Sequence, residues 1–356
     1  MISEAAVLKA LGQVQEPELG KDLVSLGMIK DLTIHDGRVS FTVELTTPAC
    51  PLRDQIEREA KAAVVSLEGV SEVSLKLTSN VPFDGRSRGL IDRPIRNAVA
   101  VGSGKGGVGK TTVAVNLAAA LARAGARVGL LDADIYGPNV PTMMGVDRLP
   151  PPRDGKMAPA EAYGVKLVSM AFLVKPGQPL IWRGPMLHTA IRQFIADVQW
   201  GELDYLIVDL PPGTGDASLS LSQSMPLSGA VIVTMPQKVS VEDAGRALEM
   251  FRTLKVPILG VVENMSFLKL PGGESLDLFG AGGGERLAQA AQVPFLGSIP
   301  IDVRVRKGGD EGMPVVISAP DSEVGRALTS IAEQVAARIC VQARTVSNVI
   351  PIEMID

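Results

Sequence analysis

A glycine-rich loop between two apolar stretches has the residue types and spacing of a phosphate-binding site. Gly104 opens the pattern G-x-x-x-x-G-K-T, which closes with Gly109, Lys110 and Thr111. In this pattern the lysine ammonium reaches the β and γ phosphates of a nucleotide, and the threonine hydroxyl binds Mg²⁺. Glycine lets the backbone wrap closely around an anion, so the loop amides would face the phosphates. The predicted nucleotide-binding residues are Gly104, Gly106, Gly107, Val108, Gly109, Lys110, Thr111 and Thr112.

Three aspartates follow apolar stretches further along the chain and would complete the chemistry of ATP hydrolysis. Asp209 ends an apolar run and precedes a Gly-rich loop, which is the position of a carboxylate that orients Mg²⁺. Asp132 suits the outer shell of the same metal ion, and Asp134 suits the water that attacks the γ-phosphate. A single aspartate after a strand often only caps a turn. Three in this order after the loop favour a nucleotide site, with Lys110 and Asp134 as catalytic groups and Thr111, Asp132 and Asp209 around the metal.

The elements that must position these groups are short apolar strands alternating with helices. Strands are predicted at residues 98–101, 128–131, 206–210, 230–235, 258–262 and 295–299, and a helix rich in Ala and Leu at 112–124. Such alternation predicts an α/β P-loop NTPase fold with a mostly parallel sheet and helices on both faces. Ligands of such sheets bind at the carboxyl ends of the strands, where the loop at Gly104 would lie.

The first 78 residues predict a separate, small α+β domain. Asp36-Gly37 stands between two stretches of alternating apolar residues, which indicates a β-hairpin, and helical periodicity with a further strand follows. Periodicity disappears in residues 79–96, which are rich in Gly, Pro and charge and predict a linker. We therefore expect an ATPase domain over 97–344 and a C-terminal tail over 345–356.

Charge and hydropathy exclude two classes of partner. The formal net charge of −4 provides no basic surface for nucleic acid. No apolar run is long enough to span a bilayer, and the first residues lack the pattern of a signal peptide, so we expect a cytoplasmic protein.

The two cysteines suggest different roles. Cys50 precedes a predicted helix, where amide donors favour a thiolate, so it is either a reactive or ligand thiol or a small buried side chain. Cys340 follows the apolar face of a C-terminal helix, which favours core packing.

The motifs together resemble a known family of ATPases. Lys105, early in the loop, is typical of deviant Walker ATPases, and the segments 132–139, 182–186, 209–216 and 234–237 resemble the Mrp family of iron-sulfur cluster carriers. The N-terminal segments 25–29 and 45–52 resemble the small domain of iron-sulfur assembly factors. The resemblance implies a slowly hydrolysing ATPase that forms a homodimer around nucleotide and delivers clusters to apo iron-sulfur client proteins. It also implies that Lys105 reaches a phosphate in the partner subunit and that Asn264 contacts adenine.

One motif of that family is missing. The family usually carries a C-P-x-C pair that holds a [4Fe-4S] cluster, and here Leu270 and Gly273 stand near those positions. Neither residue can bind iron, so Cys50 is the remaining candidate ligand. A nucleotide-switched adaptor that holds no cluster is therefore the alternative. A partition-type or division-site ATPase is disfavoured, because it would need a basic DNA-binding surface or a basic amphipathic tail.

Overall fold

The computed structural model describes residues 2–83, 95–134, 137–173 and 184–347. By their internal contacts, Met1–Pro82 and Ala336–Asp356 form a smaller unit, and Phe83–Val335 form a larger one. Residues 336–344, at the end of the ATPase domain expected from the sequence, group by their contacts with the smaller unit. The Cys340 thiol, for example, donates to the Thr46 carbonyl oxygen at 3.2 Å. Helical periodicity cannot show where along one helix the packing partner changes.

The smaller unit has the predicted α+β composition. Its elements before residue 83 are α1 Glu4–Leu11, β1 Gln15–Glu16, β2 Lys21–Asp22, β3 Ile29–His35, β4 Arg38–Leu45, α2 Arg53–Val65 and β5 Glu72–Ser79. The strands β3 and β4 are antiparallel, and β5 runs parallel to β4. Asp36 and Gly37 both have positive φ, which is the backbone that a two-residue hairpin turn requires. The hairpin expected at this pair is confirmed.

Apolar residues from these elements form the core of the smaller unit. Phe41, Ile56 and Leu11 are almost fully buried and come from a strand and two helices. Burial of each such side chain contributes about 1.5–3 kcal/mol. This core fixes the loop between β4 and α2, which carries Cys50.

The larger unit is built on a mixed sheet of nine strands. Its strands are β6 Ile95–Ser103, β7 Val128–Asp132, β8 Ala160–Ala162, β9 Val165–Ser169, β10 Leu203–Asp209, β11 Gly229–Thr234, β12 Ile258–Lys269, β13 Ser275–Leu276 and β14 Phe295–Ile301. Seven strands are parallel in the order β14-β12-β11-β6-β10-β7-β9, and β13 and β8 are antiparallel edge strands. The six strands predicted from sequence are all present.

Helices cover the parallel strands. They are α3 Lys110–Arg123, α4 Val140–Met143, α5 Gly184–Ala196, α6 Asp216–Ser224, α7 Lys238–Thr253, α8 Gly283–Ala290, α9 Val303–Glu311, α10 Val315–Ser318 and the start of α11 Glu323–Ser347. All seven residues of β10 are buried, as expected of a central strand covered on both faces. The predicted α/β class is confirmed. The strand β6 already begins at Ile95, inside the segment predicted as linker, and residues 84–94 of that segment lie outside the described residues.

Candidate functional site

The glycine-rich loop joins β6 to α3, as its pattern predicts. Gly107 and Gly109 have φ of +81° and +84°, a left-handed backbone that favours glycine. A Cβ atom at Gly109 would lie 2.1 Å from Nδ2 of Asn264, and one at Gly104 would lie 2.0 Å from the backbone of Asp243. The two end glycines of the pattern are therefore also required by close packing behind the loop.

Lys110, Thr111 and Asp209 meet at the start of α3. The Lys110 ammonium lies 2.6 Å from Oδ1 of Asp209, and the Thr111 hydroxyl donates to Oδ2 of the same carboxylate at 2.7 Å. The Asp209 side chain is fully buried, and burial raises its pKa while the nearby Lys110 opposes that rise. A buried carboxylate held by a cation and a hydroxyl is a strong, directed arrangement. The three residues that sequence spacing assigned to phosphate and metal are thus in direct contact.

The two aspartates after β7 face different surroundings. Asp132 is fully buried, and its carboxylate accepts hydrogen bonds from the Ser169 hydroxyl at 2.8 Å and from the backbone amides of Val140 and Asp134 at 3.2 Å. Burial raises the pKa of Asp132 to about 7, and the charge of Asp209 adds to the rise. Asp132 therefore braces the segment that follows β7 and does not line the cleft.

Asp134 instead faces the cleft. Its Oδ2 lies 3.8 Å from the Lys110 ammonium, and its Oδ1 accepts a hydrogen bond from the Gly137 amide at 3.2 Å. This places one carboxylate near the phosphate-facing lysine. A group that activates or orients water needs such a position.

Asn264 connects the phosphate-binding loop to β12. Its Nδ2 donates to the Val108 carbonyl oxygen at 2.8 Å, and both residues are mostly buried. The side chain of Asn264 also lines the cleft. Val108 is therefore part of the loop's support, and Asn264 is placed to contact a bound molecule.

These groups surround a cleft of about 810 Å³ in the larger unit. The volume falls within the range of small-molecule and cofactor sites. Nine predicted site residues line it, namely Lys105, Gly106, Gly107, Gly109, Lys110, Thr111, Thr112, Asp134 and Asn264. Gly104, Val108, Asp132 and Asp209 lie behind the lining and hold it in place.

Sequence reasoning missed the opposite wall of the cleft. Residues from the end of β14 and from α9 line it, namely Pro300, Ile301, Asp302, Val305, Arg306, Gly309 and Asp310, together with Asn139, Thr142 and Met143 near α4. One signal was available, because the strand at 295–299 was predicted and the segment after a parallel strand faces the same sheet edge as the loop. Nothing local in the sequence of α9 indicates that role.

The positions of the missing cysteine pair lie in a hairpin between β12 and β13. The Leu270 amide donates to the Glu274 carbonyl oxygen, and the Gly273 amide donates to that of Leu270, so both residues belong to a tight turn. Among the residues that the structure describes, no group of three or more His, Cys, Asp or Glu side chains has the arrangement of a metal site. The described residues therefore hold no three-ligand group that replaces the cysteine pair at this hairpin.

The cysteines themselves differ in exposure. Cys340 is buried, as predicted, whereas Cys50 is partly buried and packs at the edge of the small core. The helix α2 begins at Arg53, so Cys50 lies outside the first helical turn. The Cys50 carbonyl oxygen accepts a hydrogen bond from the Arg53 amide. The sequence placed the start of this helix at Pro51, directly after Cys50, and the observed start is two residues later.

Comparison with known proteins identifies the family. Residues 94–336 match the family described as NUBPL iron-transfer P-loop NTPase, and residues 4–75 match the family described as iron-sulfur cluster assembly protein. The first match covers more than half of the chain. The chain belongs to the iron-transfer P-loop NTPases.

Relatives of this iron-transfer NTPase extend over almost its whole length. A protein from Synechocystis named iron-sulfur cluster carrier protein is 52% identical over 354 residues, covering 96% of this chain and 99% of the relative. A Deinococcus radiodurans protein with the same name is 52% identical, covering 96% and 97%. A solved nucleotide-binding protein from Archaeoglobus fulgidus in complex with ADP is 40% identical, with a TM-score of 0.55, covering 61% of this chain and 86% of that chain.

Family membership confirms the Mrp-type resemblance and the P-loop fold. The description of the matching family is one of iron transfer, which agrees with the carrier function that the resemblance implies. Within the part of the chain that the structure describes, no helix has both the length and the apolar character needed to cross a bilayer.

Proposed function

We propose that this chain binds and slowly hydrolyses Mg-ATP and uses that cycle to carry iron-sulfur clusters to apoproteins. The observation that carries the nucleotide part is the contact of Asp209 with Lys110 and Thr111 at 2.6 and 2.7 Å. The carrier part is supported by relatives of 52% identity that are named iron-sulfur cluster carrier proteins.

The donor set fits a magnesium ion. Thr111 and Asp209 present a hydroxyl and a carboxylate oxygen next to the phosphate-binding loop, and Mg²⁺ prefers oxygen ligands of this kind. When bound with ATP, Mg²⁺ neutralises phosphate charge. In this proposal Thr111 is a direct ligand, Asp209 orients the metal site, and Asp132 supports it from behind.

The protein groups divide the remaining work of hydrolysis. When ATP binds, the Lys110 ammonium would move from Asp209 to the phosphates, because the Asp209 carboxylate and the phosphates are anions that compete for this one buried ammonium. Asp134 would accept a hydrogen bond from the attacking water and hold its oxygen towards the γ-phosphorus. As the new bond from water forms, the bond to the bridging oxygen of ADP breaks, and the proton passes to phosphate or Asp134. Asn264 would contact the base at the other side of the loop.

A homodimer completes the site in this proposal. Lys105 lines the cleft and is partly exposed, so its ammonium can meet a ligand that approaches from outside. We infer that Lys105 contacts the phosphates bound by the partner subunit. Turnover is expected to be slow, because two chains must associate around nucleotide before each reaction.

The iron-sulfur cluster is the cargo, and Cys50 is the proposed ligand for it. A cluster normally takes four thiolates. A dimer supplies two copies of Cys50 and two of the buried Cys340, so the remaining ligands would come from a small thiol or from the client protein. Such a cluster would be labile, which suits a carrier.

A nucleotide-switched adaptor that holds no cluster is the second candidate. It is favoured by the hairpin at Leu270 and Gly273, which lacks ligands, and by the absence of a three-ligand group among the described residues. In that case ATP-driven closure would present the small unit to a partner.

Anaerobic purification followed by iron, sulfide and ATPase assays tests both candidates. The carrier predicts substoichiometric iron and sulfide in equal amounts, with transfer to an apoprotein that regains its own absorption. The adaptor predicts ATPase activity with no iron or sulfide above that of a Cys50→Ser control. If the Lys110→Ala and Asp209→Ala variants both kept normal nucleotide binding, the assignment of the nucleotide site would be wrong.

A further inference from the structure

Glu263 is a fully buried carboxylate that the nucleotide chemistry described above does not use. It lies in β12, immediately before Asn264. Its Oε1 accepts hydrogen bonds from the Ser266 hydroxyl at 2.5 Å and from the Gly282 amide at 3.3 Å, and its Oε2 accepts one from the Gly284 amide at 2.7 Å. A buried charge is costly unless such donors surround it, so its position is strongly constrained.

The bond to Ser266 spans a bend in the wall of the cleft. Met265, which lies between Asn264 and Ser266, has a φ of +55°, an unfavourable backbone for a side chain of its size. The pairing of β12 with β14 also shifts register between Asn264 and Leu268. Met265 lines the cleft, so the Glu263–Ser266 bond stabilises a bend that faces the bound molecule.

The other two bonds fix the start of α8. Gly282 is the N-cap residue of this helix, with a φ of +69°, and the amide of Gly284 lies in its first turn. A Cβ atom at Gly284 would lie 2.9 Å from Cβ of Glu263, so glycine is required for this approach. The carboxylate satisfies amides that have no partner within the helix and interacts favourably with its dipole.

One side chain therefore joins two segments that the sequence separates by about twenty residues. On one side are Asn264 and Met265, which line the cleft, and on the other is the start of α8. Between them the chain forms the β12–β13 hairpin. The carboxylate holds the bend before the hairpin and the helix start after it, so a change in the bend would act on both ends of the hairpin segment.

We propose that Glu263 is a positioning residue that holds Asn264 and Met265 against bound nucleotide and transmits nucleotide occupancy to the β12–β13 hairpin. This rests on the proposed function, in that the cleft binds nucleotide. It goes beyond it by assigning a physical connection between the cleft and the β12–β13 hairpin.

Steady-state kinetics of Glu263→Gln provide the first test. Glutamine has one oxygen in place of two, so at least one of the three donors loses its acceptor. We expect KM for Mg-ATP to rise about tenfold, the effect of losing a charge-assisted hydrogen bond, while kcat stays within about twofold. Glu285→Gln is the matched control, because Glu285 is an exposed acid in the first turn of the same helix. Unchanged KM in a folded Glu263→Gln protein, with only a lower melting temperature, would overturn the proposal.

Hydrogen exchange with and without Mg-ADP provides the second test. In the unchanged protein, nucleotide should slow exchange in the phosphate-binding loop and in residues 268–284. In Glu263→Gln the protection should persist in the loop and disappear in 268–284. If Glu263→Gln does not fold, Ser266→Ala takes its place, and in that variant the protection of 268–284 should be partly reduced. Equal protection of 268–284 in all variants contradicts the proposal. Absence of protection in the loop of the unchanged protein contradicts the nucleotide site instead.

Discussion

The nucleotide cleft and the Cys50 loop differ in how complete each is within one chain. In the cleft, Lys110 and Asp209 are 99 positions apart in sequence, yet their charged groups lie 2.6 Å apart. For the cargo site, no group of three or more His, Cys, Asp or Glu side chains among the described residues is arranged to hold a metal ion, and Cys340 is buried with its thiol donating to the Thr46 carbonyl oxygen. In the proposed function, the chain therefore holds its phosphate-binding groups internally, and the remaining ligands of a cluster come from outside.

This difference has a physical basis. Phosphate binding and hydrolysis need donors and charges held in place before the ligand arrives, because that preorganisation lowers the barrier. A carrier needs the opposite at its cargo site, since a cluster held by four fixed thiolates of the same protein would be slow to leave. The following variants test whether the two regions are separable in this way.

The largest effect is expected from removing the charges that meet at the start of α3. Lys110→Ala and Asp209→Ala should each lower kcat/KM for Mg-ATP by about a thousandfold or more, because one loses the phosphate-facing ammonium and the other the metal-orienting carboxylate. Cluster binding at Cys50 should persist in both. A coupled assay of ATP hydrolysis gives the rates, and circular dichroism shows that the variants fold.

Lys238→Ala is the matched control for the lysine variant, because Lys238 is 90% exposed. Its ATPase rate should equal that of the unchanged protein. Normal hydrolysis by Lys110→Ala, in a preparation free of contaminating ATPases, would contradict the assignment of the cleft.

The next largest effect is expected from Lys105→Ala. If Lys105 acts on the nucleotide of the partner subunit, hydrolysis should slow by roughly a thousandfold while ATP binding is retained, by analogy with an arginine finger. Mixing Lys105→Ala with Asp134→Ala protein should restore part of the rate, because one mixed site keeps both groups. No recovery at any ratio, with mixed dimers demonstrated by mass spectrometry, would argue against sharing between subunits.

Cys50→Ser should separate cargo from catalysis. We expect the substoichiometric cluster formed by anaerobic reconstitution to be lost, with the ATPase rate unchanged within about twofold, because the cysteine provides none of the cleft groups. Iron analysis and absorption of the charge-transfer bands in the visible region measure the amount of bound cluster. Cys340→Ser, at a buried position, provides the comparison. A full, stable cluster in Cys50→Ser would show that other ligands exist.

The smallest effect concerns the pH dependence of stability in the smaller unit. Burial raises the pKa of Glu18 from 4.5 to about 7, Glu16 adds to the rise, and Arg338 opposes it. Between those values the native chain holds a proton that the unfolded chain has released, so the free energy of unfolding falls as the pH rises through this window. Glu18→Gln stays neutral and should therefore exceed the unchanged protein in stability at pH 8 but not at pH 4.

We expect a difference on the order of 1 kcal/mol at pH 8, because solvent screens this half-buried group. Urea unfolding at the two pH values measures it, with Glu68→Gln at an exposed position as the control. An equal difference at both pH values would show that proton binding to Glu18 is not responsible.

Sequence alone determined the parts of the protein that depend on local spacing. The loop that ends in Lys110 and Thr111 and the hairpin turn at Asp36 and Gly37 follow from backbone preferences of neighbouring residues. The alternation of apolar strands and helices likewise predicts the parallel sheet. Each of these patterns follows from the types and spacing of residues along the chain, so it predicts structure without knowledge of what lies across the sheet.

Only the tertiary structure decided which side chains meet. Asp132 and Asp134 look alike in sequence, yet Ser169 covers the first while the second lines the cleft. The wall formed by α9 and the contacts of Glu263 with Gly284 depend in the same way on strand order and on segments distant in sequence. The physical reason is that burial and hydrogen bonding of a side chain are set by residues from other elements, and local spacing carries no information about them.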